Sequence, residues 1–168
     1  MAYRVMTVCT GNICRSPMAE IVLRERFAAA GLDGLVEVDS SGISDEEWGN
    51  PVDRRARTVL AAHGYPTGDG HRARQVERSD LADHDLLLAM TAVHARALRR
   101  IAATPEQGER VRMYRSFDPA APALGPGVPE SALDVEDPWY GGMADFEECL
   151  AQVEAAADAV VAHVRSRL

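Results

Sequence analysis

The feature of this sequence that most limits its fold is a short apolar run, Leu86-Leu87-Leu88-Ala89-Met90, inside the segment 84–90. Uninterrupted apolar runs of this length are typical of strands in parallel sheets, where helices cover both faces. We therefore predict a fully buried strand here, and the rest of the fold has to supply helices on either side of it.

Other strand and helix patterns alternate along the chain. Strands are predicted at residues 3–8, 35–38 and 111–114, and helices at residues 17–31, 51–63, 92–101 and 145–167. Pro17 suits a first helical position, while Gly31 and Gly64 suit helix ends. The remaining segments are predicted loops, at residues 39–50, 64–75 and the proline-rich 116–138.

This alternation indicates an α/β fold with right-handed crossovers. We predict one domain over residues 1–168, a three-layer sandwich with a central four-stranded parallel sheet and helices on both faces. Ligands in such sheets bind beyond the carboxyl ends of the strands. The residues after the first strand are therefore the first candidates for a functional site.

Composition excludes several classes of function. Lys and Arg number 18 against 26 Asp and Glu, so the net charge of −8 at pH 7 provides no basic surface for nucleic acid. No apolar stretch is long enough for a membrane span. Three cysteines favour reduced thiols over a disulfide scaffold, and we expect a cytoplasmic protein, with unconventional export left open.

The first strand runs directly into an unusual loop, whose residues are Cys9, Thr10, Gly11, Asn12, Ile13, Cys14, Arg15 and Ser16. A loop of this length before a helix can aim successive backbone N–H groups at an anion, and the helix N-terminus adds its positive dipole end. The same field favours a thiolate at Cys9, and Arg15 can grip two phosphoryl oxygens. The pattern predicts a phosphate-binding loop with Cys9 as nucleophile; a small buried cysteine is the alternative.

Residues 8–20 read VCTGNICRSPMAE, which resembles the signature of the low-molecular-weight protein tyrosine phosphatases. The resemblance, to bacterial-type members, continues through DSSGISDEEWGNP, HRARQ, SFDP and EDPWYG to the last helix. It implies hydrolysis of phosphotyrosine in proteins through a phosphocysteine intermediate.

Such a mechanism needs an acid for the leaving oxygen, because a phenolate whose conjugate pKa is about 10 leaves better when protonated. Asp137 resembles the family's acid by its place in the aspartate-proline-aromatic motif. The same residue would then act as base toward the water that hydrolyses the intermediate. Read alone, an aspartate before proline is an ordinary turn former.

The resemblance also implies supporting roles around the loop. Asn12, Ser40 and His71 would hold the loop in its conformation, and Ser16 would assist departure of the Cys9 thiolate. The alternative for Ser40 and His71 is that they are ordinary surface polar residues.

A substrate crevice is predicted from aromatic residues. Trp139 and Tyr140 follow the acid and could stack against a phenyl ring, with core packing as the alternative. The facing loop departs from the family, since Glu46 occupies a usually aromatic position and Trp48 follows two residues later. We expect Trp48 to replace the missing wall and the acidic rim to disfavour acidic peptides.

The other two cysteines and Thr91 are further residues whose roles matter. The resemblance implies that Cys14 protects Cys9 by forming a disulfide, with a simple packing role as the alternative, and Cys149 is expected in the core. Thr91 stands where members often carry aspartate, and the sequence assigns no consequence to this change.

Four other functions remain as alternatives. A protein arginine phosphatase resembles this loop but typically has threonine where this chain has Ile13, and an arsenate reductase would need further thiols, of which only Cys149 exists. A phosphopeptide-binding module would not need Asp137. A metal-binding module would need a second pair of ligands beside Cys9 and Cys14.

We expect no cofactor and no metal. The expected partners are tyrosine-phosphorylated proteins, in signalling by dephosphorylation, and phosphate, vanadate or other oxyanions should compete for the site. Oxidation of Cys9 should inactivate the enzyme reversibly. The chain is expected to be a monomer, with a weak dimer as the alternative.

Overall fold

Four parallel strands form the centre of the protein in its computed structural model, which describes residues 1–168. The strands run in the order β2-β1-β3-β4, with bounds β1 Tyr3–Cys9, β2 Val36–Gly42, β3 Leu86–Ala89 and β4 Val111–Met113. The connection that follows β1 leads to β2 on one side, whereas the connection that follows the adjacent strand β3 leads to β4 on the other, so the strand order reverses between β1 and β3. The end of β1 is therefore the natural ligand position in this topology.

Six helices cover the sheet, namely α1 Arg15–Ala29, α2 Arg54–Ala62, α3 Arg78–Asp83, α4 Ala92–Ile101, α5 Pro105–Glu109 and α6 Met143–Arg165. Apolar side chains from α1, α2 and α6 pack in the larger core on one face, and those from α3 and α4 pack in a smaller core on the other. The predicted three-layer α/β sandwich in a single domain is confirmed.

Strand β1 shows how the sequence covers both faces. Val5 and Cys9 belong to the larger core, whereas Met6 and Val8 belong to the smaller one. Successive side chains of a strand point to opposite faces, so a nearly continuous apolar strand is what a sheet with helices on both sides requires.

The structure corrects several predicted boundaries. Strand β2 extends to Gly42, through residues predicted as loop, because residues 39–42 pair in parallel register with Met6 to Cys9. Helix α1 begins two residues before Pro17, which is tolerated because the first N–H groups of a helix have no intrahelical partner. The sequence missed α3 and α5, which are short, and the loop 116–138 contains the 3₁₀ turn Glu130–Leu133.

None of the helices combines the length and the apolar character that a membrane crossing requires.

We predict that Leu88→Ala lowers the free energy of unfolding by about 2–5 kcal/mol, because it opens a cavity in a close-packed sheet. Leu88 is fully buried, and Leu35, which is 54% exposed, offers the same substitution as a control. Urea unfolding of Leu35→Ala should differ from wild type by less than about 0.5 kcal/mol. Equal losses in the two variants would contradict this packing of β3.

Candidate active site

The loop between β1 and α1 leaves its backbone donors unused by the chain. None of the seven residues from Thr10 to Ser16 donates its backbone N–H to a backbone carbonyl. Buried or half-buried N–H groups are almost always paired in proteins, so a run of free donors indicates a ligand site. The donors lie at the N-terminus of α1, where the helix dipole also favours an anion.

Asn12 fixes the shape of this loop. It is the one non-glycine residue with a positive φ, at 62°, and it is completely buried. Its amide nitrogen donates to the hydroxyls of Ser16 and Ser40, each at 2.9 Å. Its amide oxygen accepts from the backbone N–H of Arg74 at 3.0 Å, and its backbone oxygen lies 2.8 Å from Nε2 of His71. The structure thus brings Ser40 and His71 to the loop, as predicted, and adds Arg74.

Cys9 lies at the bottom of the loop, where its Sγ is 3.0 Å from the Ser16 hydroxyl oxygen. Because Asn12 donates to that hydroxyl, the Ser16 proton is free to point at Cys9 or at the backbone oxygen of Ser41, which lies 3.2 Å away. A thiolate at Cys9 would accept this proton in a charge-assisted hydrogen bond.

Arg15 and Asp137 meet across the site. The buried guanidinium of Arg15 donates to the backbone oxygen of Val135 at 3.0 Å, and its second terminal nitrogen lies 3.4 Å from a carboxylate oxygen of Asp137. The other carboxylate oxygen of Asp137 accepts the backbone N–H of Trp139 at 3.1 Å. The proline-rich loop therefore delivers the candidate acid to the phosphate site, although the two lie far apart in sequence.

A cleft of about 150 Å³ opens above Cys9. Its walls include most of the loop, both predicted aromatic residues and two acidic residues of the facing segment, namely Thr10, Gly11, Ile13, Cys14, Arg15, Glu46, Glu47, Asp137, Trp139 and Tyr140. Trp139 and Tyr140 pack edge to face, with ring centroids 5.1 Å apart, and both rings are exposed, which rules out core packing.

The expectation for Trp48 is wrong in this structure. Its side chain is 64% exposed and does not line the cleft, where Glu46 and Glu47 stand instead. The backbone N–H of Trp48 donates to the backbone oxygen of Asp45 at 3.0 Å, in a turn at residues 45–48. The wall facing Trp139 is therefore acidic rather than aromatic.

Arg55, which the sequence did not reveal, connects the start of α2 to the loop that carries Asp137. It donates to the backbone oxygens of Trp139 and Gly141 at 3.1 and 3.3 Å and to the carboxylate of Asp53. Burial alone would raise the pKa of Asp53, but the hydrogen bonds from Arg55 lower it. The backbone N–H of Asp53 in turn donates to Ile13 at 2.8 Å. No sequence signal marks this contact, because the partners are backbone atoms.

Two cysteines remain besides Cys9, namely Cys14 and Cys149. Burial, followed by the nearby Asp53, raises the pKa of the Cys14 thiol far above its usual value, and burial raises the pKa of Cys149 to about 12. Both thiols therefore stay protonated near neutral pH. Cys149 lies in the core, as its position in α6 predicted.

Gly42 and His94 are further residues that sequence reasoning missed. Gly42 ends β2 against the phosphate loop, and His94 lies in the first turn of α4 with Nε2 at 2.8 Å from the Thr10 hydroxyl. A glycine at the end of a strand is a weak signal for close backbone approach. A histidine inside a predicted helix gives no signal at all.

The loop has a cysteine at one end and an arginine at the other, with a carboxyl group 3.4 Å from the arginine, and these are the groups that a cysteine-dependent phosphatase needs. A family model described as "Low molecular weight phosphotyrosine protein phosphatase" matches residues 4–168. The chain therefore belongs to the low-molecular-weight protein tyrosine phosphatase family, as its motifs predicted, and its enzyme class is protein tyrosine phosphatase.

Individual relatives agree over nearly the whole chain. A low molecular weight protein-tyrosine-phosphatase of Streptomyces coelicolor is 50% identical over 168 residues, which cover 100% of this chain and 97% of the relative. The crystal structure of YfkJ from Bacillus subtilis superposes with a TM-score of 0.86 at 31% identity, covering 99% of this chain and 97% of that one. Wzb from Vibrio vulnificus, solved in complex with benzylphosphonate, gives a TM-score of 0.77 at 25% identity, with coverages of 97% and 99%.

We predict that Gly42→Ala lowers kcat/KM at least about tenfold, since a Cβ there would collide with the backbone oxygen of Thr10 and lie 3.1 Å from the backbone nitrogen of Asn12. Backbone atoms cannot rotate away, so the loop must shift. Gly34→Ala is the matched control, because nothing lies within 4 Å of its new Cβ. Steady-state kinetics with an aryl phosphate should leave Gly34→Ala unchanged; an unchanged Gly42→Ala would contradict the packing.

The free energy of unfolding should fall as the pH drops below 6.5, through His94. Burial, and next the charge of Arg15, lowers the pKa of His94 from 6.5 to about 3, so in this window only the unfolded chain takes up the proton. This residue should contribute a loss of about 2 kcal/mol between pH 7 and pH 5.

His84 has the opposite effect on the pH dependence of unfolding. Burial would lower its pKa, but the hydrogen bond and the charge of Asp39 raise it. Urea unfolding of wild type and His94→Gln at both pH values isolates the His94 contribution. Identical pH dependence in the two proteins would contradict a buried, neutral His94.

Proposed function

We propose that this enzyme hydrolyses phosphotyrosine in proteins through a phosphocysteine intermediate, with Cys9 as nucleophile, Arg15 as phosphate clamp and Asp137 as acid and then base. The observation that carries the proposal is the run of free backbone N–H groups from Thr10 to Ser16 around the Cys9 thiol. A phosphoryl group has three equatorial oxygens, which such donors and a planar guanidinium can bind together.

In the first step the Cys9 sulfur attacks phosphorus while the bond between phosphorus and the tyrosine oxygen breaks. Arg15 neutralises charge spread over the equatorial oxygens, and it can act without reorganisation because Val135 already orients its guanidinium. Asp137 transfers its proton to the leaving oxygen. This carboxyl lies 3.4 Å from the Arg15 guanidinium, so it stands beside a phosphoryl group that Arg15 binds.

In the second step the carboxylate of Asp137 takes a proton from water, and the water oxygen attacks phosphorus. The sulfur–phosphorus bond breaks, inorganic phosphate forms, and Cys9 leaves as a thiolate. Ser16 supports this departure, because its hydroxyl can turn from the Ser41 oxygen to Cys9 over distances of 3.2 and 3.0 Å. The thiolate is thereby stabilised as it develops.

The cleft favours an aryl phosphate. Trp139 and Tyr140 stand beside its opening and offer apolar surface to a phenyl ring, which phosphoserine lacks. Ile13, also in the lining, presents an apolar side chain where arginine phosphatases typically have threonine. Both features support phosphotyrosine over phosphoserine and phosphoarginine.

We expect turnover of phosphotyrosine peptides with chelator present, and little turnover of phosphoserine or phosphoarginine peptides. Cys9→Ser should abolish it, because the hydroxyl is a much weaker nucleophile. Asp137→Asn should slow it about 10²- to 10⁴-fold, the usual size of an acid–base contribution. Released phosphate from each peptide measures both effects.

Two variants serve as controls. Cys149→Ser changes a thiol outside the loop, and Asp83→Asn changes an exposed carboxyl away from the site, so both should keep wild-type rates. Preference for phosphoarginine would overturn the substrate assignment and leave the loop chemistry intact. Activity in Cys9→Ser would overturn the mechanism itself.

A further inference from the structure

The Thr10 hydroxyl links the phosphate site to a histidine outside it. Its oxygen lies 2.8 Å from Nε2 of His94 and 3.4 Å from a terminal nitrogen of Arg15. His94 is 2% exposed and belongs to α4, whereas Thr10 and Arg15 belong to the phosphate loop and α1. None of the catalytic steps described above uses this histidine.

The hydrogen bonds of His94 determine which ring nitrogen carries its proton. The backbone N–H of Thr91, which can only donate, lies 3.1 Å from Nδ1 of His94. Nδ1 must therefore accept, and in the neutral ring the proton then sits on Nε2. The Thr91 hydroxyl accepts the backbone N–H of His94 at 3.3 Å and completes a reciprocal cap at the start of α4. It follows that Nε2 donates to the Thr10 oxygen.

The Thr10 oxygen thus accepts from two donors. Nε2 of His94 and the guanidinium of Arg15 both point their protons at it, which uses both of its lone pairs. The hydroxyl proton must then point away from both donors. Thr10 lines the cleft beside Cys9, so this proton is available to an oxygen of a bound phosphoryl group.

We propose that His94 is a positioning residue for the phosphate site: through Nε2–H it fixes the Thr10 hydroxyl, which orients Arg15 and donates to the phosphoryl group. This inference rests on the proposed function, and it assigns a role to a buried residue on a different helix. The backbone N–H of Thr91 determines the tautomer of this histidine.

The ring has to stay neutral for this role. A protonated ring would point a second N–H at the Thr91 N–H, and donor would face donor. Burial, and next the charge of Arg15, lowers the pKa of His94 to about 3. The hydrogen-bond arrangement is therefore the same throughout the pH range of an enzyme assay.

Two amide variants separate the contribution of Nε2 from that of Nδ1. In His94→Gln the amide nitrogen can take the place of Nε2 and donate to Thr10. In His94→Asn the amide oxygen can take the place of Nδ1 and accept from Thr91, but nothing reaches Thr10. A third variant, Thr10→Val, removes the hydroxyl at nearly constant volume, and the double variant His94→Asn/Thr10→Val closes a mutant cycle.

We expect His94→Asn to lower kcat/KM for a phosphotyrosine peptide about tenfold. This is the usual effect of losing one hydrogen bond to a charged group, here the bond from the Thr10 hydroxyl to the phosphoryl group. The loss should appear in kcat rather than KM, because Arg15 is most important when charge spreads in the transition state. The inhibition constant for orthovanadate should rise in parallel. His94→Gln should recover most of the activity, and the double variant should be no slower than Thr10→Val alone.

The proposal is overturned if His94→Asn keeps the wild-type kcat, if His94→Gln fails as badly as His94→Asn, or if the losses of the two single variants add in the double variant. Nitrogen-15 NMR of the histidine ring is a readout independent of activity: a proton on Nε2 agrees with the proposal, and a proton on Nδ1 contradicts it. Wild-type protein that binds vanadate but releases no phosphate would instead overturn the proposed function, and vanadate affinity would still test the role of His94.

Discussion

The left-handed backbone of Asn12 is the constraint on which the site depends. A non-glycine residue in this conformation costs about 1–2 kcal/mol. Four hydrogen bonds, to Ser16, Ser40, Arg74 and His71, offset that cost and close the loop around Cys9. Three of these partners lie outside the loop and α1, Ser40 in β2 and His71 and Arg74 in the segment before α3, so the shape of the loop is a property of the whole fold. A loop built this way is in its binding shape before any phosphate arrives, and it needs little reorganisation to bind.

The groups at the base of the cleft are positive, although the chain as a whole is negatively charged. The chain carries −8 overall, and Glu46, Glu47 and Asp137 stand at the opening of the cleft. The anion site is nevertheless positive at its base, where free N–H groups, the α1 terminus and the buried Arg15 converge. Interactions with a desolvated donor are much stronger than those with exposed charges, which water and salt screen. Under the proposed function, the acidic opening would disfavour acidic peptides without preventing phosphate binding at the bottom.

Much of the fold and the centre of the site could be predicted from local sequence. The apolar run that begins at Leu86 predicts a buried parallel strand, because burial on both faces leaves no room for polar residues. The motif from Cys9 to Ser16 predicts a phosphate-binding loop, because all the groups that such a loop needs are contiguous in the sequence. Prediction failed where position depends on distant partners. Residues 39–42 contain no large apolar side chain, yet they pair with β1, while Trp48 is exposed and does not line the cleft. His94 looked like any helical residue until the fold placed it beside Thr10.

The chemistry at Cys9 is the central claim, and trapping the covalent intermediate tests it most directly. Asp137→Asn protein would be mixed with a phosphotyrosine peptide, quenched within one turnover, digested and analysed by mass spectrometry. The account predicts a phosphoryl group on the peptide that contains Cys9, formed as fast as the dephosphorylated peptide appears. Release of that product with no phosphoryl group on the enzyme, or with phosphate on any other residue, would contradict it.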